Sequence, residues 1–459
     1  MRGHASLALA LAVSLTAGGG RALSAQSKST DGPIAEATIR AHMSFLASDA
    51  MKGRGSGTED EWRAATYIGA QLMRLGIEPL GDDGGFVQRV ATGRSAVSAP
   101  PTLTIKDLKL THGREMLVQS LGPTMSGPLA RYVAGSPVPA GAFVLVPDGV
   151  TPDAAAIGRA AAVLTPETTT LRSTWDTTGA SRMPTIGVGR AGGAPPPARI
   201  VLTYDAYGRL AAQPDGTPVT VAAETKPGFT WNVIGQIKGR DTKRSSEIIL
   251  LTAHLDHLGV RGTGADTIFN GADDDASGST AVLALAEALA SGERPKRTVM
   301  FAWFGSEESG GFGARNFLDH PPVPLDRIVA NLEFEMIGRP DEKVPPHTLW
   351  LTGYERSNLG PELARRGARI VADPHPDQQF FQRSDNIQLA CQGIIAQTVS
   401  SFGLHKEYHQ ANDDIAHIDF AHMTDAIRSM LKPVQWLGDA TFKPEWNSGK
   451  KPGPGNGCR

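Results

Sequence analysis

The sequence predicts an α/β protein, with a mostly parallel mixed sheet sandwiched by helices and a β-rich segment inserted into it. After residue 226, apolar strand-like runs alternate with segments of helical period. These strands are almost continuously apolar, as expected where helices cover both faces of a sheet. Between residues 96 and 225 the pattern changes to short strand-like runs separated by Pro, Ala and Gly.

Length, charge and hydropathy limit the possible roles. The chain has 459 residues, enough for one large domain and a smaller one. Its 45 Lys and Arg nearly balance its 47 Asp and Glu, which argues against nucleic acid or an anionic membrane as the main partner. Beyond the N-terminal region no apolar stretch is long enough for a membrane helix, so we expect no stable membrane insertion.

The first 25 residues have the character of an export signal. Arg2 precedes a short apolar run, and small residues follow up to Ala25. Because the run is too short to span a bilayer, we predict a signal peptide over 1–25 and a mature protein that is periplasmic or secreted. The two cysteines, Cys391 and Cys458, leave two interpretations open, a disulfide bridge or a buried free thiol.

The remaining chain divides into a catalytic domain, predicted over 26–95 and 226–445, and an inserted lobe over 96–225. The first part contains two helical patterns joined by the loop SDAMKGRGSGT, interpreted as a plain connection. The lobe has no cluster of His, Cys or acidic residues at metal-binding spacing, so we expect it to shape access to a site elsewhere. The Gly- and Pro-rich end, 446–459, is predicted to be a flexible tail. Further helices are expected at 277–291, 310–318, 359–367 and 421–437.

Polar residues stand at the end of the apolar run IILLTA. His254 and Asp256 are two positions apart on that strand, so both face one side of its end. The following helix opens on Asp273, Asp274 and Asp275, which would repel one another unless a cation lay nearby. The alternative is an ordinary helix N-terminus, for which one aspartate would suffice. The pattern favours a metal site.

Other acidic and imidazole side chains follow the neighbouring strands. Parallel sheets bind ligands beyond the carboxyl ends of their strands, and each candidate lies at such an end. Two metal ions require a bridging carboxylate and, for each ion, a histidine and another carboxylate. The residues available for these positions are Glu307, Glu308, Glu333, Glu335, His405 and His409.

The order of the motifs HLD, GADDDASG, SEES, EMIGR and YHQANDD resembles the co-catalytic zinc aminopeptidases of metallopeptidase family twenty-eight, which are related to glutamate carboxypeptidase and the transferrin receptor. The resemblance extends over nearly the whole mature chain. It implies a zinc-exopeptidase-like fold, with 96–225 as a protease-associated (apical) domain. It also implies two Zn²⁺ per chain and peptide substrates.

The resemblance assigns roles to individual residues. His254 resembles the histidine ligand of one zinc ion, and Asp274 resembles the aspartate that bridges both ions. Glu307 resembles the general base, and Asp256 the carboxylate behind His254. Tyr408 resembles a tyrosine that in some members helps to hold the developing oxyanion. The other metal ligands that the resemblance implies are Glu308, Glu335 and His409.

Three positions depart from the family pattern. Glu335 stands where most members have aspartate, Asn386 where many have histidine, and Ile395 where they have proline. These departures bear on substrate preference more than on the chemistry. The resemblance implies an exported aminopeptidase that hydrolyses N-terminal residues from peptides. Alternatives on the same fold are a carboxypeptidase, a dipeptidase or a one-zinc glutaminyl cyclase, and, from another class, a non-catalytic binding module.

Overall fold

The computed structural model describes residues 32–122, 125–175, 184–186, 196–261, 265–454 and 457–458. The predicted signal peptide lies outside these residues. The α-helices, in chain order, are α1 (Glu36–Leu46), α2 (Glu59–Arg74), α3 (Ala154–Ile157), α4 (Thr169–Ser173), α5 (Tyr204–Ala211), α6 (Gly278–Ala290), α7 (Phe312–Asp319), α8 (Leu359–Arg365), α9 (Asn386–Cys391) and α10 (Phe420–Asp439).

The strands fall into two large sheets and two small pairs. In chain order they are β1 (Glu78–Pro79), β2 (Val87–Val97), β3 (Thr102–Ile105), β4 (Leu108–Thr111), β5 (Met116–Leu121), β6 (Ser126–Arg131), β7 (Phe143–Leu145), β8 (Ala162–Pro166), β9 (Thr185–Ile186), β10 (Ala198–Leu202), β11 (Pro218–Ala222), β12 (Thr225–Ile237), β13 (Ile248–His254), β14 (Gly259–Val260), β15 (Ile268–Phe269), β16 (Thr298–Phe304), β17 (Ile328–Phe334), β18 (Leu349–Leu351), β19 (Ile370–Ala372), β20 (Ala396–Ser400), β21 (Gly453–Pro454) and β22 (Gly457–Cys458).

A nine-stranded mixed sheet carries the predicted site. Its order is β1-β12-β16-β13-β17-β20-β18-β19, with β2 paired to β12. The central strands β16, β13, β17 and β20 run parallel, while β12 and β18 pair antiparallel with their inner neighbours. The predicted fold class is therefore confirmed. Because four parallel strands lie side by side, their carboxyl ends meet at one edge of the sheet.

Helices cover both faces of this sheet, which explains why its strands are so apolar. One face packs against Ile39 of α1, Leu283 of α6 and Met430 of α10. The opposite face packs against Phe317 of α7 and Leu389 of α9. Strands β13 and β16 are buried at every position. Such runs cannot alternate between apolar and polar residues, since neither face meets water.

Residues 102–222 contain a second nine-stranded sheet, in the order β4-β3-β11-β6-β7-β8-β10-β5-β9, with a core of its own. The long strands β2 and β12 connect the two sheets as an antiparallel ribbon in which Val97 pairs with Thr225. A bulge between Pro227 and Phe229 interrupts the ladder opposite Gly93, which has a φ of 64°. The β-rich character of the insert matches its composition, and its assignment as a protease-associated domain remains a prediction.

Two regions differ from the sequence-based expectations. The sequence does not predict helix α9, because its six residues are too few to show a helical period of apolar positions. The tail 446–459, expected to be flexible, is attached to the body of the protein. Cys458 forms a disulfide with Cys391 at the end of α9, and the indole N–H of Trp446 donates to the carbonyl of Gly393. Within the described residues, no helix is both long and apolar enough to cross a membrane.

Candidate active site

The predicted site residues converge at the carboxyl edge of the four parallel strands. His254 is the last residue of β13, and Glu335 directly follows β17. Glu307 and Glu308 follow β16, and Asp274 lies in the distorted turn before α6. Tyr408 and His409 come from the loop after β20. The ends of all four parallel strands thus contribute side chains to the site, as this sheet architecture predicts.

Asp274 lies between two imidazoles. Its Oδ1 is 3.2 Å from Nε2 of His254, and its Oδ2 is 3.1 Å from Nε2 of His409. The same His409 nitrogen is 3.1 Å from Oε1 of Glu308. Burial raises the pKa of Asp274, but the surrounding imidazoles outweigh burial and hold that pKa well below its usual range. One carboxylate therefore presents an oxygen to each of two neighbouring clusters.

These two clusters fit metal ions. The first joins His254, Asp274 and Glu335, and the second joins His257, Asp274 and Glu308, with all candidate ligand atoms of a cluster within 4.8 Å of one another. His409 also approaches Asp274 and Glu308 of the second cluster. Several of these atoms are buried without any hydrogen-bond partner, including Nε2 of His254 and Oε1 of Glu308. Leaving such groups unpaired is costly. Imidazole nitrogens and carboxylate oxygens are the donors that zinc takes.

The other two aspartates of the triple run hold the backbone around Asp274. Asp275 accepts hydrogen bonds from the backbone N–H groups of His254 (3.2 Å), Gly278 (3.0 Å) and Met336 (3.1 Å). It thereby ties together the ends of β13 and β17 and the start of α6. Asp273 accepts from the backbone N–H of Gly338 and lies 2.9 Å from Nε2 of His405. His405 therefore anchors its loop at Asp273, outside the two clusters.

Two buried carboxylates hold the turn that carries Glu307. Oδ1 of Asp256 accepts the backbone N–H of Glu307 at 2.9 Å, and Oδ2 accepts the hydroxyl of Ser56. Glu61 accepts the N–H of Ser306 at 3.0 Å, where the backbone has a φ of 58°. Asp256 meets His254 through its backbone carbonyl, 3.0 Å from Nδ1, whereas its carboxylate is 3.8 Å away. Its carboxylate thus acts mainly on the Glu307 turn.

Glu307 lies in surroundings that favour its neutral form. Burial raises its pKa well above the ordinary range, and the nearby carboxylates of Asp385, Glu335 and Glu308 raise it further. The imidazole of His254 opposes this effect. A carboxyl group with a raised pKa, placed beside candidate metal ligands, is suited to accepting and returning a proton near neutral pH.

Arg54 holds together backbone segments next to the site. Its guanidinium is almost completely buried and donates to the carbonyls of Leu46 (2.5 Å), Leu255 (3.0 Å), Asn270 (2.7 Å) and Gly271 (2.9 Å). These carbonyls belong to the end of α1, the loop after β13 and the loop before Asp274. The segment interpreted as a plain connection is therefore part of the framework of the site.

A cleft of about 470 Å³, partly open to solvent, lies against the two clusters. One part of its wall is apolar and aromatic, and Thr352, Arg383, Thr398 and Ser400 also line the cleft. The hydroxyl of Tyr408 accepts a hydrogen bond from Arg383 at 3.4 Å, and the Tyr408 ring stacks on His409 with centroids 3.9 Å apart. The apolar and aromatic part of the wall consists of Met336, Trp350, Phe380, Phe402 and Tyr408.

Some residues singled out in the sequence lie elsewhere, and others went unnoticed. Glu333 is fully buried in β17, two residues before Glu335. Asn386 starts α9, where it donates to the carbonyl of Phe381. The sequence motifs do not single out His257, yet its imidazole belongs to the second cluster. The available signal was its position directly after the HLD motif.

Comparison with known families identifies the part of the chain that holds the site. Residues 232–433 match the family described as Peptidase family M28. The matched span contains every candidate ligand of both clusters, so the family match covers the same residues as the site geometry.

Relatives of the M28 segment include a probable lipoprotein aminopeptidase, LpqL, of Mycobacterium tuberculosis, 30% identical over 44% of this chain and 37% of that protein. Aminopeptidase YwaD of Bacillus subtilis is 32% identical over 42% of each chain. The matches thus span less than half the length of these relatives. A zinc aminopeptidase from Bacillus subtilis superposes with a TM-score of 0.56 over 89% of this chain and 96% of that one, at 19% identity. An aminopeptidase from Aneurinibacillus sp. strain AM-1 does so at 0.51, over 89% and 95%, at 20% identity. These likenesses show that the chain has the fold of these aminopeptidases.

Proposed function

We propose that the protein is an exported aminopeptidase that uses two zinc ions to hydrolyse N-terminal residues from peptides. The observation that carries this proposal is the position of Asp274, whose two oxygens face His254 and His409 separately. His254, Asp274 and Glu335 would hold one ion, and Asp274, Glu308 and His409 the other. When bound, such a pair of ions polarises a scissile carbonyl and lowers the pKa of a water molecule.

Glu307 would act as the general base in this reaction. It accepts a proton from the attacking water and returns it to the leaving amine, a role consistent with its raised pKa. Asp256 fixes the backbone from which Glu307 projects. Tyr408, whose hydroxyl borders the cleft, would donate a hydrogen bond to the oxygen that becomes negatively charged.

The aromatic wall of the cleft supports a preference for a bulky apolar residue at the peptide N-terminus. Trp350, Phe380 and Phe402 would pack against that side chain and exclude water from it. Relatives named as aminopeptidases support cleavage at the N-terminal side. Release of free leucine from leucyl-alanine but not from N-acetyl-leucyl-alanine is expected for an aminopeptidase. Release of free alanine from N-acetyl-leucyl-alanine would favour the carboxypeptidase alternative.

The disulfide between Cys391 and Cys458 supports export, since such bridges persist in oxidising compartments. The apolar run near the N-terminus supports it independently. N-terminal sequencing of the protein from its host's exported fraction is expected to find a start near residue 26. A protein that still begins at Met1 would contradict a cleaved signal peptide.

The decisive experiment replaces the proposed base. Glu307→Gln should lower kcat by roughly 10²–10⁴-fold while leaving zinc content near two per chain. The matched control is Glu293→Gln, since the Glu293 side chain is 80% exposed and pairs with Arg240 rather than with a residue of the site. Substantial activity in Glu307→Gln, or loss of one zinc ion from it, would count against the assignment.

A further inference from the structure

His257 is a buried imidazole that neither the family resemblance nor the proposed mechanism uses. It lies in the loop after β13, three residues beyond His254, and its side chain is completely buried. Its Nδ1 is 2.9 Å from Oε1 of Glu308 and 3.8 Å from Oδ2 of Asp274. These are the same two oxygens that His409 approaches at 3.1 Å each. Two imidazoles therefore face one pair of carboxylate oxygens.

The contacts of His257 do not have the geometry of ordinary hydrogen bonds. Neither of its ring nitrogens has a hydrogen-bond partner among the described residues, and Oε1 of Glu308 has none either, despite their separation of 2.9 Å. A buried donor or acceptor left unpaired costs roughly 1–3 kcal/mol. A cation at the point between them would satisfy the nitrogen and the oxygen together.

The separations suit a single tetrahedral ion. Ligand atoms at about 2.0–2.1 Å from zinc in a tetrahedral arrangement lie about 3.3 Å from one another. The separations from the two imidazoles to the oxygens of Asp274 and Glu308, four of the six among these ligand atoms, are 2.9, 3.1, 3.1 and 3.8 Å. The ring of His257 also meets that of His409 edge to face, with centroids 5.6 Å apart. The two rings can thus approach one ion from different sides without clashing.

The backbone holds His257 in this position. Its N–H donates to the carbonyl of Arg54 at 3.1 Å, and it forms an isolated β-bridge with Gly55. On its other side the ring lies against Gly271, where an added Cβ would be 2.4 Å from the imidazole Cγ. Gly271 also has a φ of 59°, which favours glycine. The imidazole is therefore oriented before any ion arrives, as a metal ligand requires.

We propose that His257 is a fourth protein ligand of the ion held by Asp274, Glu308 and His409. This inference rests on the proposed two-zinc function. It makes the two positions unequal, because the ion beside His254 has three protein ligands and the other has four. Zinc held by four protein ligands is characteristic of closed sites, whereas three ligands leave a position open for water or substrate. The ion beside His254 is then the more exchangeable one and the one with the open position.

The test measures zinc binding rather than activity. Zinc per chain is determined by elemental analysis, and the dissociation constant of each ion by competition with a chromogenic chelator. In His257→Ala we expect the affinity for one ion to fall by more than about 100-fold, beyond the 10–100-fold typical of a residue that merely orients a ligand. Exogenous imidazole should restore part of that affinity. His257→Gln serves as a second variant should the alanine variant fold poorly.

The control is His42→Gln, which replaces another buried imidazole, hydrogen-bonded to Tyr67 rather than to a carboxylate. It should bind both ions with unchanged affinity. A decrease of less than 100-fold in both His257 variants, or no rescue by imidazole, would overturn the proposal and leave His257 as a residue that orients Glu308. A wild-type protein that binds fewer than two zinc ions would instead contradict the proposed function itself.

Discussion

Arg54 allows the contribution of one buried side chain to be estimated from its contacts. Its guanidinium donates to the carbonyls of Leu46, Leu255, Asn270 and Gly271. The Gly271 carbonyl also accepts a backbone N–H from the following turn, so Arg54→Met leaves three buried carbonyls without a described donor. At roughly 1–3 kcal/mol for each, the free energy of unfolding should fall by about 3–9 kcal/mol.

Thermal unfolding of the zinc-loaded protein, followed by circular dichroism, measures this effect. Since 1 kcal/mol shifts Tm by about 2–4 °C in domains of roughly 150–250 residues, Arg54→Met should lower Tm by at least about 6 °C. The matched control is Arg63→Met, because the Arg63 side chain is 45% exposed and pairs with Glu59 and Asp60 at the surface. Loss of such a pair costs at most about 1 kcal/mol. Equal Tm values for the two variants would refute this reasoning.

Arg54→Lys separates the charge of this side chain from its hydrogen bonds. Lysine keeps the positive charge near Asp275 and Asp274 but has a single ammonium group in place of the planar fork. It cannot reach all four carbonyls, so its Tm should lie between those of wild type and Arg54→Met. A Tm equal to that of wild type would mean that charge alone accounts for the stabilisation.

Three further outcomes are expected. Glu335→Ala should lose one zinc ion and most activity, and Glu335→Asp should keep partial function. Glu333→Ala should lower stability without removing metal. If elemental analysis showed that Glu333→Ala loses a zinc ion while Glu335→Ala keeps both, the ligand assignment would be contradicted. Replacing 96–225 by a Gly/Ser linker should keep both ions and change KM for longer peptides, so a folded protein without zinc would show that the insert contributes to the site. The metal-free protein should lose stability as pH rises from about 6 to about 9, because the folded state raises the pKa of two groups. Burial raises the pKa of Glu307. Burial lowers the pKa of His409, but hydrogen bonds to Asp274 and Glu308 outweigh burial and raise this pKa to about 9. Both protons stabilise the apo fold and are lost with rising pH. Bound zinc would take the place of the proton on His409 and, through its charge, would favour the ionised form of Glu307, so the Tm difference between loaded and metal-free protein should grow with pH; a constant difference would contradict this.

The sequence predicts the strands and helices that are determined by the pattern of their own residues. The apolar runs that end in His254, precede Glu307 and end near Glu335 are strands of the sheet, because burial on both faces leaves an unambiguous pattern. Placing their polar residues at one edge required only the rule for parallel strands. The helices α6 and α10 also begin and end within a few residues of their predicted bounds, since apolar residues recur at helical spacing over a long segment in both.

Contacts between distant segments were not predictable in this way. Arg54 reaches carbonyls that are 201 to 217 residues away in the chain, and nothing in the surrounding glycine-rich loop indicates them. The carboxylate of Asp256 turned out to hold the backbone of Glu307, 51 residues further on. His257 shares a cluster with Glu308 only because the loop after β13 folds back under Gly271. Spacing along the chain contains none of this information.

The ribbon of β2 and β12 has a consequence for how the insert moves. Both strands leave the central sheet together as a hydrogen-bonded pair, so the insert is attached through two chains rather than one. A single linker bends in any direction, whereas a paired ribbon resists bending within its own plane and yields across its flat face or by twisting. The bulge beside Gly93 breaks the ladder and concentrates that flexing at one level. We therefore expect the insert to rotate about this ribbon rather than to shift sideways relative to the central sheet.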